Sequence, residues 1–236
     1  MNSSNDKLAV LIDADNAQAS SVHELLEEVS RYGTASVKRA YGDWSTPQLK
    51  KWQQELNTHT IKPVQQFAYT KGKNATDSAL IIDAMDLLHT GDLNGFCLVS
   101  SDSDFTPLAA RIRESGLVVY GFGERKTPEA FVKACDKFIY TDILKPPAAK
   151  TAKTKAKSKS PSPKKKLVEA VDKAAADDGW ANLGTVGTML LKNDPSFDSR
   201  NYGFRKLVDL VKAQSYLELR KEKTGSGGAT ISVRLK

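Results

Sequence analysis

Apolar and polar positions alternate in blocks along the first half of the chain, and the blocks carry two different periods. Apolar runs at "LAVLID" (8–13), "ASVKRAYGDW" (35–44), "IKPVQQFAY" (61–69), "GFCLVS" (95–100) and "LVVYGFG" (117–123) read as strands. Between them, "SSVHELLEEVSRYG" (20–33), "TPQLKKWQQELNTH" (46–59), "DSALIIDAMDLLHTG" (77–91) and "TPLAARIRESG" (106–116) read as helices. Leu25, Leu26 and Val29 share one helical face with Gly33 as a stop, and Pro47 sits near the start of the next helix. Pro63 lacks a donor for a central ladder and so places the third strand at a sheet edge. Five strands alternating with four helices predict an α/β domain: a parallel sheet with helices on both faces and right-handed crossovers.

The last third has a different rhythm. It reads as a helix, a loop holding Trp180, a short helix and a third helix from about Tyr202 to Gln214. Two period-two runs, "YLELRKEK" and "ATISVRLK", then flank "TGSGG", a hairpin signal. Three helices and a hairpin predict a small winged-helix (α+β) domain.

Charge separates the two. Residues 145–166 carry nine lysines, no acid and four of the nine prolines. Nothing there can pack, so an extended, disordered linker is expected, which supplies sequence-blind phosphate contacts or acts only as a spacer. Residues 1–144 hold 15 basic against 19 acidic residues and residues 167–236 hold 11 against 9, so the overall net charge of +7 belongs to the linker. The expected organisation is an α/β domain over 1–144, a Lys/Pro-rich linker over 145–163 and a winged helix over 164–236. Cys97 and Cys135 sit in apolar runs without CxxC spacing or a histidine partner, which reads as buried thiols. The opening residues meet acids before any signal-like stretch, and no run of about 18 apolar residues occurs. A cytoplasmic protein with no membrane partner is expected.

Acids gather where strands end. Asp13 closes "LAVLI", with Asp15 and Asn16 just beyond, and Asp102 and Asp104 follow "FCLVS". Asp77 opens the helix after a strand-following turn. In a parallel sheet these carboxyl-end turns share one edge, so three turns deliver carboxylates to one place if the first and fourth strands are neighbours. Such a cluster repels itself unless a hard divalent cation neutralises it, and Mg²⁺ or Mn²⁺ prefers these oxygen donors. Water activation for attack on a phosphodiester is the chemistry that would follow. Plainer roles exist too: Ser103 or Asp104, and Asp77, as helix caps, and Asp15 as a turn former. Asp83 and Asp86 point away from Asp77 and read as supporting or surface residues, and the scattered His23, His59 and His89 as surface residues.

"LIDADN", "KGKNATDSALIIDAM" and "LVSSDSDFTPLAARIRESG", in this order, closely resemble the NYN family, nucleases of Rossmann-like (PIN-like) fold whose bacterial members are LabA-like. The resemblance covers about residues 7–142. It implies a metal-dependent endoribonuclease with Mg²⁺ or Mn²⁺ held by Asp13, Asp77, Asp102 and Asp104 and with Asn16 as a further catalytic residue. Lys73 and Ser101 match a basic residue and a small hydroxyl beside the acids, and Lys71 adds a second cation on the same turn, for RNA contact.

"GWANLGTVGTMLLKNDPSFDSRNYGFRKLVDLVKAQSYLEL" resembles the LOTUS (OST-HTH) domain, which implies RNA binding or protein docking. Arg200, Tyr202, Arg205 and Lys206 gather at the start of the third helix, and Lys164, Lys165 and Lys166 at the head of the first. The alternative reading of the four is core for Tyr202 and solvated faces for the cations. At the level of function, an RNA-cutting enzyme stands against a binding protein that holds RNA or a protein partner and keeps the acids. A phosphatase of the haloacid dehalogenase type matches "DADNA" but lacks the later GDxxxD pattern.

Overall fold

The computed structural model describes residues 6–67, 75–144, 162–223 and 229–236. They fall into two compact units, 1–148 and 149–236. Lys71, Lys73, most of the expected linker and the "TGSGG" turn lie outside the described residues.

The first unit is a six-stranded sheet: β1 (Lys7–Asp13), β2 (Thr34–Gly42), β3 (Lys62–Gln65), β4 (Gly95–Val99), β5 (Val118–Gly123) and β6 (Lys137–Tyr140). All neighbours are parallel, in the order β3-β2-β1-β4-β5-β6. The two-residue period sorts each strand between two cores. Leu8, Val10 and Ile12 face one cluster with Cys97, Val99 and Phe122, covered by α1 (Val22–Val29) and α2 (Trp52–Thr58). Ala9 and Leu11 face the other with Phe96, Leu98 and Phe138, covered by α3 (Ala75–Thr90), α4 (Thr106–Glu114) and α5 (Glu129–Ala134). Burial on both faces explains why β1 and β4 are continuous apolar runs. β3, with its proline, is an edge strand.

The sheet has one strand and one helix more than the sequence pattern predicts. α5 and β6 are short, and only Phe138 and Ile139 of the four β6 residues are buried, too brief a run for either period to register. Cys97 and Cys135 are buried free thiols; burial drives both up, Cys135 to about 12 and Cys97 further. Among the described residues no helix is long and apolar enough to cross a membrane.

The second unit contains α6 (Lys164–Ala174), β7 (Ala181–Asn182), α7 (Leu183–Asn193), α8 (Leu207–Lys212), β8 (Leu217–Lys223) and β9 (Ala229–Leu235). Its sheet runs β7-β9-β8, antiparallel throughout, over a core that includes Leu167, Val186, Leu190, Leu210 and Val233. The third helix is shorter than expected. Asp198 accepts from the Arg200 amide at 2.8 Å and opens a separate 3-10 turn, Ser199–Tyr202, which Gly203 ends at a φ of 84°. α7 is a full eleven residues, because the Asn182 side chain caps it by accepting from the Gly184 amide at 2.8 Å. Trp180 lies against the guanidinium groups of Arg220 and Arg234, at 4.5 and 4.6 Å from its ring centroid.

Candidate metal centre and nucleic-acid surfaces

The order β3-β2-β1-β4-β5-β6 reverses direction between β1 and β4, which opens a crevice beyond their carboxyl ends. Asp13 ends β1, and Ser100 continues β4 by donating its amide to the Phe122 carbonyl at 3.0 Å. By the period of two, Asp13 follows Leu11 and Ser100 follows Leu98 onto the face covered by α3 and α4. They meet there: the Ser100 hydroxyl donates to Asp13 Oδ2 at 2.7 Å. Asn16 donates its side-chain amide to the same oxygen at 2.8 Å. Asp13 is fully buried; burial pushes its carboxyl up, and the bonds from Ser100 and Asn16 pull it part of the way back.

The chain of bonds continues outward. Ser100 Oγ accepts from the Asp102 amide at 3.1 Å, and Asp102 Oδ1 accepts from the Asp104 amide at 2.9 Å. Asp102 is therefore the residue that caps the turn leading into α4, in place of the expected Ser103 or Asp104. Across the crevice α3 carries Asp77 in its first turn, and Thr76 donates to Asp15 at 2.9 Å, tying that helix to the β1 loop. Asp83, further along α3, is held by Arg39 and Tyr41 of β2 and so supports the helix.

Asp77, Asp102 and Asp104 each place a carboxylate oxygen within 4.8 Å of the others. Unit charges about 5 Å apart near a protein surface repel by roughly 3 kcal/mol. The strain registers on Asp77, whose carboxyl is pushed up to about 6 by burial first and then by Asp13, Asp102, Asp104 and Asp15. Three hard oxygen donors suit Mg²⁺ or Mn²⁺. Asp13 lies outside that three-oxygen group but close enough to press on Asp77.

A stability effect follows. Without metal, Asp77 binds its proton near pH 6 when folded and near its ordinary 3.8 when unfolded. Between those values the folded chain holds more protons, so stability falls as pH rises. Because Asp77 is only half-buried, solvent screening reduces the effect to the order of 1 kcal/mol. In EDTA at about pH 7, Asp77→Asn should melt higher than the wild type, and the gap should close below about pH 4. Saturating Mn²⁺ should invert the gap, because it stabilises the chain that keeps all its donors. Thermal melts across this grid check both signs.

The remaining expected contact residues divide. Ser101 turns to the opposite face from Ser100 and accepts from the Glu124 amide at 2.9 Å. Ser100, which links Asp13 to Asp102, is not among the expected site residues, although the two-residue period alone distinguishes it from Ser101. In the second unit Arg200 is engaged by Asp198 through Nε at 3.0 Å and Nη2 at 2.7 Å. Tyr202 packs on Phe197 with ring centroids 5.7 Å apart, and Lys166 pairs with Asp194 at 2.6 Å. Lys164, Lys165, Arg205 and Lys206 are exposed. His23 and His59, distant in sequence, bring their rings to 5.6 Å, each beside a glutamate of its own helical run.

A doubly wound parallel sheet with carboxylates collected at its switch point fits the PIN-like class. Within it the chain belongs to the NYN family, whose domain model matches residues 7–144, and an OST-HTH/LOTUS domain follows at residues 158–228. A Vibrio parahaemolyticus protein of unknown function has a similar fold: TM-score 0.50 and 18% identity over 59% of this chain and 95% of its own. An uncharacterised Nitrosomonas europaea protein is 36% identical over 39% of this chain and 90% of its own, with a TM-score of 0.32. A Chromobacterium violaceum protein is 39% identical over 34% of this chain and 84% of its own, with a TM-score of 0.27. Comparison with curated proteins finds no match. The chain thus joins a domain of a nuclease family to a domain of an RNA-binding family.

Proposed function

We propose that the protein is a metal-dependent endoribonuclease, with RNA recruited by its winged helix and by the lysines of residues 145–166. The observation that carries this reading is the meeting of Asp77, Asp102 and Asp104 oxygens within 4.8 Å at the sheet's switch point. These three carboxylates would hold Mg²⁺ or Mn²⁺. A bound ion would supply a Lewis acid for the phosphoryl oxygens and lower the pKa of a water. The chain's own residues do the rest. Ser100 and Asn16 fix Asp13, and the Asp102 amide on Ser100 fixes the spacing between the β1 and β4 acids. Lys71 and Lys73 are the cations proposed to meet phosphate on the turn before α3. Arg205, Lys206, Lys164 and Lys165 are the exposed cations proposed to meet it on the winged helix.

Every proposed metal ligand lies within residues 1–144, a segment of net charge −4 by the count of 15 basic and 19 acidic residues. Chemistry and recruitment are therefore separable. Removing residues 145–236 should raise the half-saturating RNA concentration at least about tenfold, since tethering raises local concentration. The maximal rate with Mn²⁺ should change less than about threefold, because the tether leaves the chemical step alone. Steady-state cleavage of one labelled single strand by both proteins tests it. A truncated protein that is inert at saturating RNA, beside an active full chain, would place part of the active site in the tail.

A further inference from the structure

A polyanion must approach an edge crowded with carboxylates, so the cations on that edge decide where it lies. The described turns that directly follow the six strands are 14–18, 43–46, 66–67, 100–102, 124–128 and 141–144. Among these described residues, Arg125 and Lys126 are the only lysines or arginines, and both belong to the turn after β5. That turn is joined to the acid site. Glu124 donates its amide to Ser101 Oγ at 2.9 Å, next to Asp102, and accepts from Gln18 of the β1 loop at 3.0 Å. A small, largely apolar cleft lined by Ile12, Val22, Trp52, Gln18, Ser101 and Glu124 lies beside this turn, and neither the three clustered acids nor the two cations line it.

Both cations are held in place yet replaceable in their pairing. The Arg125 guanidinium lies 4.3 Å from the Tyr140 ring centroid, and its Nε is 3.1 Å from Asp142 Oδ2. Lys126 is 72% exposed and 3.1 Å from Glu124. Exposed ion pairs contribute little net stability, so a phosphate can replace Asp142 while Arg125 stays stacked on Tyr140. The β5 turn follows the strand that neighbours β4, and from it the Arg125 guanidinium reaches the end of β6.

We propose that Arg125 and Lys126 form a phosphate-binding subsite for RNA, which holds the backbone next to the phosphodiester that faces the acids. This subsite rests on reading the acids as a phosphodiester-cleaving centre, and it deepens that reading by naming the cations that hold the strand on the β5 side of the acids. Asp142 is the built-in competitor for Arg125, and this gives the subsite a signature. Weakening the cations and weakening the competitor should have opposite effects.

The test uses the full chain and a short labelled single-stranded RNA with Mn²⁺. Binding is read by fluorescence anisotropy in an Asp102→Asn background, and cleavage in the wild-type background. Arg125→Gln with Lys126→Gln should weaken binding about tenfold and lower the salt slope by about 1 to 2 between about 50 and 200 mM salt. In the cleavage arm KM should rise by a similar factor while kcat stays within about threefold. Asp142→Asn should tighten binding about two- to threefold by releasing Arg125 and removing a repelling acid. If the Arg125–Asp142 pair is only structural, the two sets of variants move binding the same way or not at all, and the subsite is overturned. A chain whose RNA binding responds as expected but which never cuts keeps the subsite and removes the nuclease reading. A chain that cuts with its affinity unchanged by the double variant does the reverse.

Discussion

Asp102→Asn should reduce Mn²⁺-dependent RNA cleavage by at least about 100-fold while leaving the chain folded, since a bound metal contributes several kcal/mol and each 1.4 kcal/mol is tenfold. Asparagine keeps the Oδ1 that accepts from the Asp104 amide, so the turn into α4 retains its cap. It loses the negative charge and exchanges the other acceptor oxygen for an amide donor. Removing one charge from a self-repelling group with Asp77 and Asp104 should leave thermal stability in EDTA unchanged or raised. Parallel activity and melting measurements test both halves. Wild-type cleavage by Asp102→Asn would remove this residue from the site, and a collapsed melting temperature would make its role structural.

Ser100→Ala should be damaging although the residue carries no charge. Alanine removes only the hydroxyl, which donates to Asp13 and accepts from the Asp102 amide, and adds no bulk to this buried position. A buried carboxylate then loses one of its donors, and a backbone N–H loses its acceptor. The expected cost is about 2 kcal/mol of stability, from groups left unsatisfied away from water. Cleavage should fall about 10- to 100-fold, the usual penalty for losing a residue that orients metal ligands. Ser101→Ala, by contrast, breaks only the bond from the Glu124 amide on the other face, and its activity should stay within about threefold. Equal effects at the two positions would contradict the network that links Asp13 to Asp102.

These two serines show how much of the site was legible from the residues. Strand ends, a two-residue period and the carboxyl-edge rule are enough to bring Asp13, Asp77, Asp102 and Asp104 to one edge, because β1 and β4 are neighbours. The same period, carried one residue past Val99, separates Ser100 from Ser101. What it cannot supply is distance. Asp102, Asp77 and Asp104 meet within 4.8 Å while buried Asp13 is taken up by Ser100 and Asn16, and only packing decides that. In the fold, Pro63 announced an edge strand, whereas α5 and β6 were too short for periodicity to mark. In the winged helix, expected contact residues turned inward: Asp198 engages Arg200 and starts a turn, and Gly203 shortens the third helix. A local cap and one left-handed glycine outweighed the apolar periodicity on which the longer helix rested.

The chemistry of the product ends bears most directly on the proposed activity. Attack by an external water, with the 3′ oxygen as leaving group, gives a 3′-hydroxyl and a 5′-phosphate. Attack by the neighbouring 2′-hydroxyl instead gives a 2′,3′-cyclic phosphate and needs no metal. The full chain should therefore convert a labelled RNA to fragments with 5′-phosphate and 3′-hydroxyl ends in Mn²⁺, and to none in EDTA. Cyclic phosphate ends that persist in EDTA, or intact RNA after prolonged incubation with Mn²⁺, would contradict a metal-dependent nuclease built on Asp77, Asp102 and Asp104.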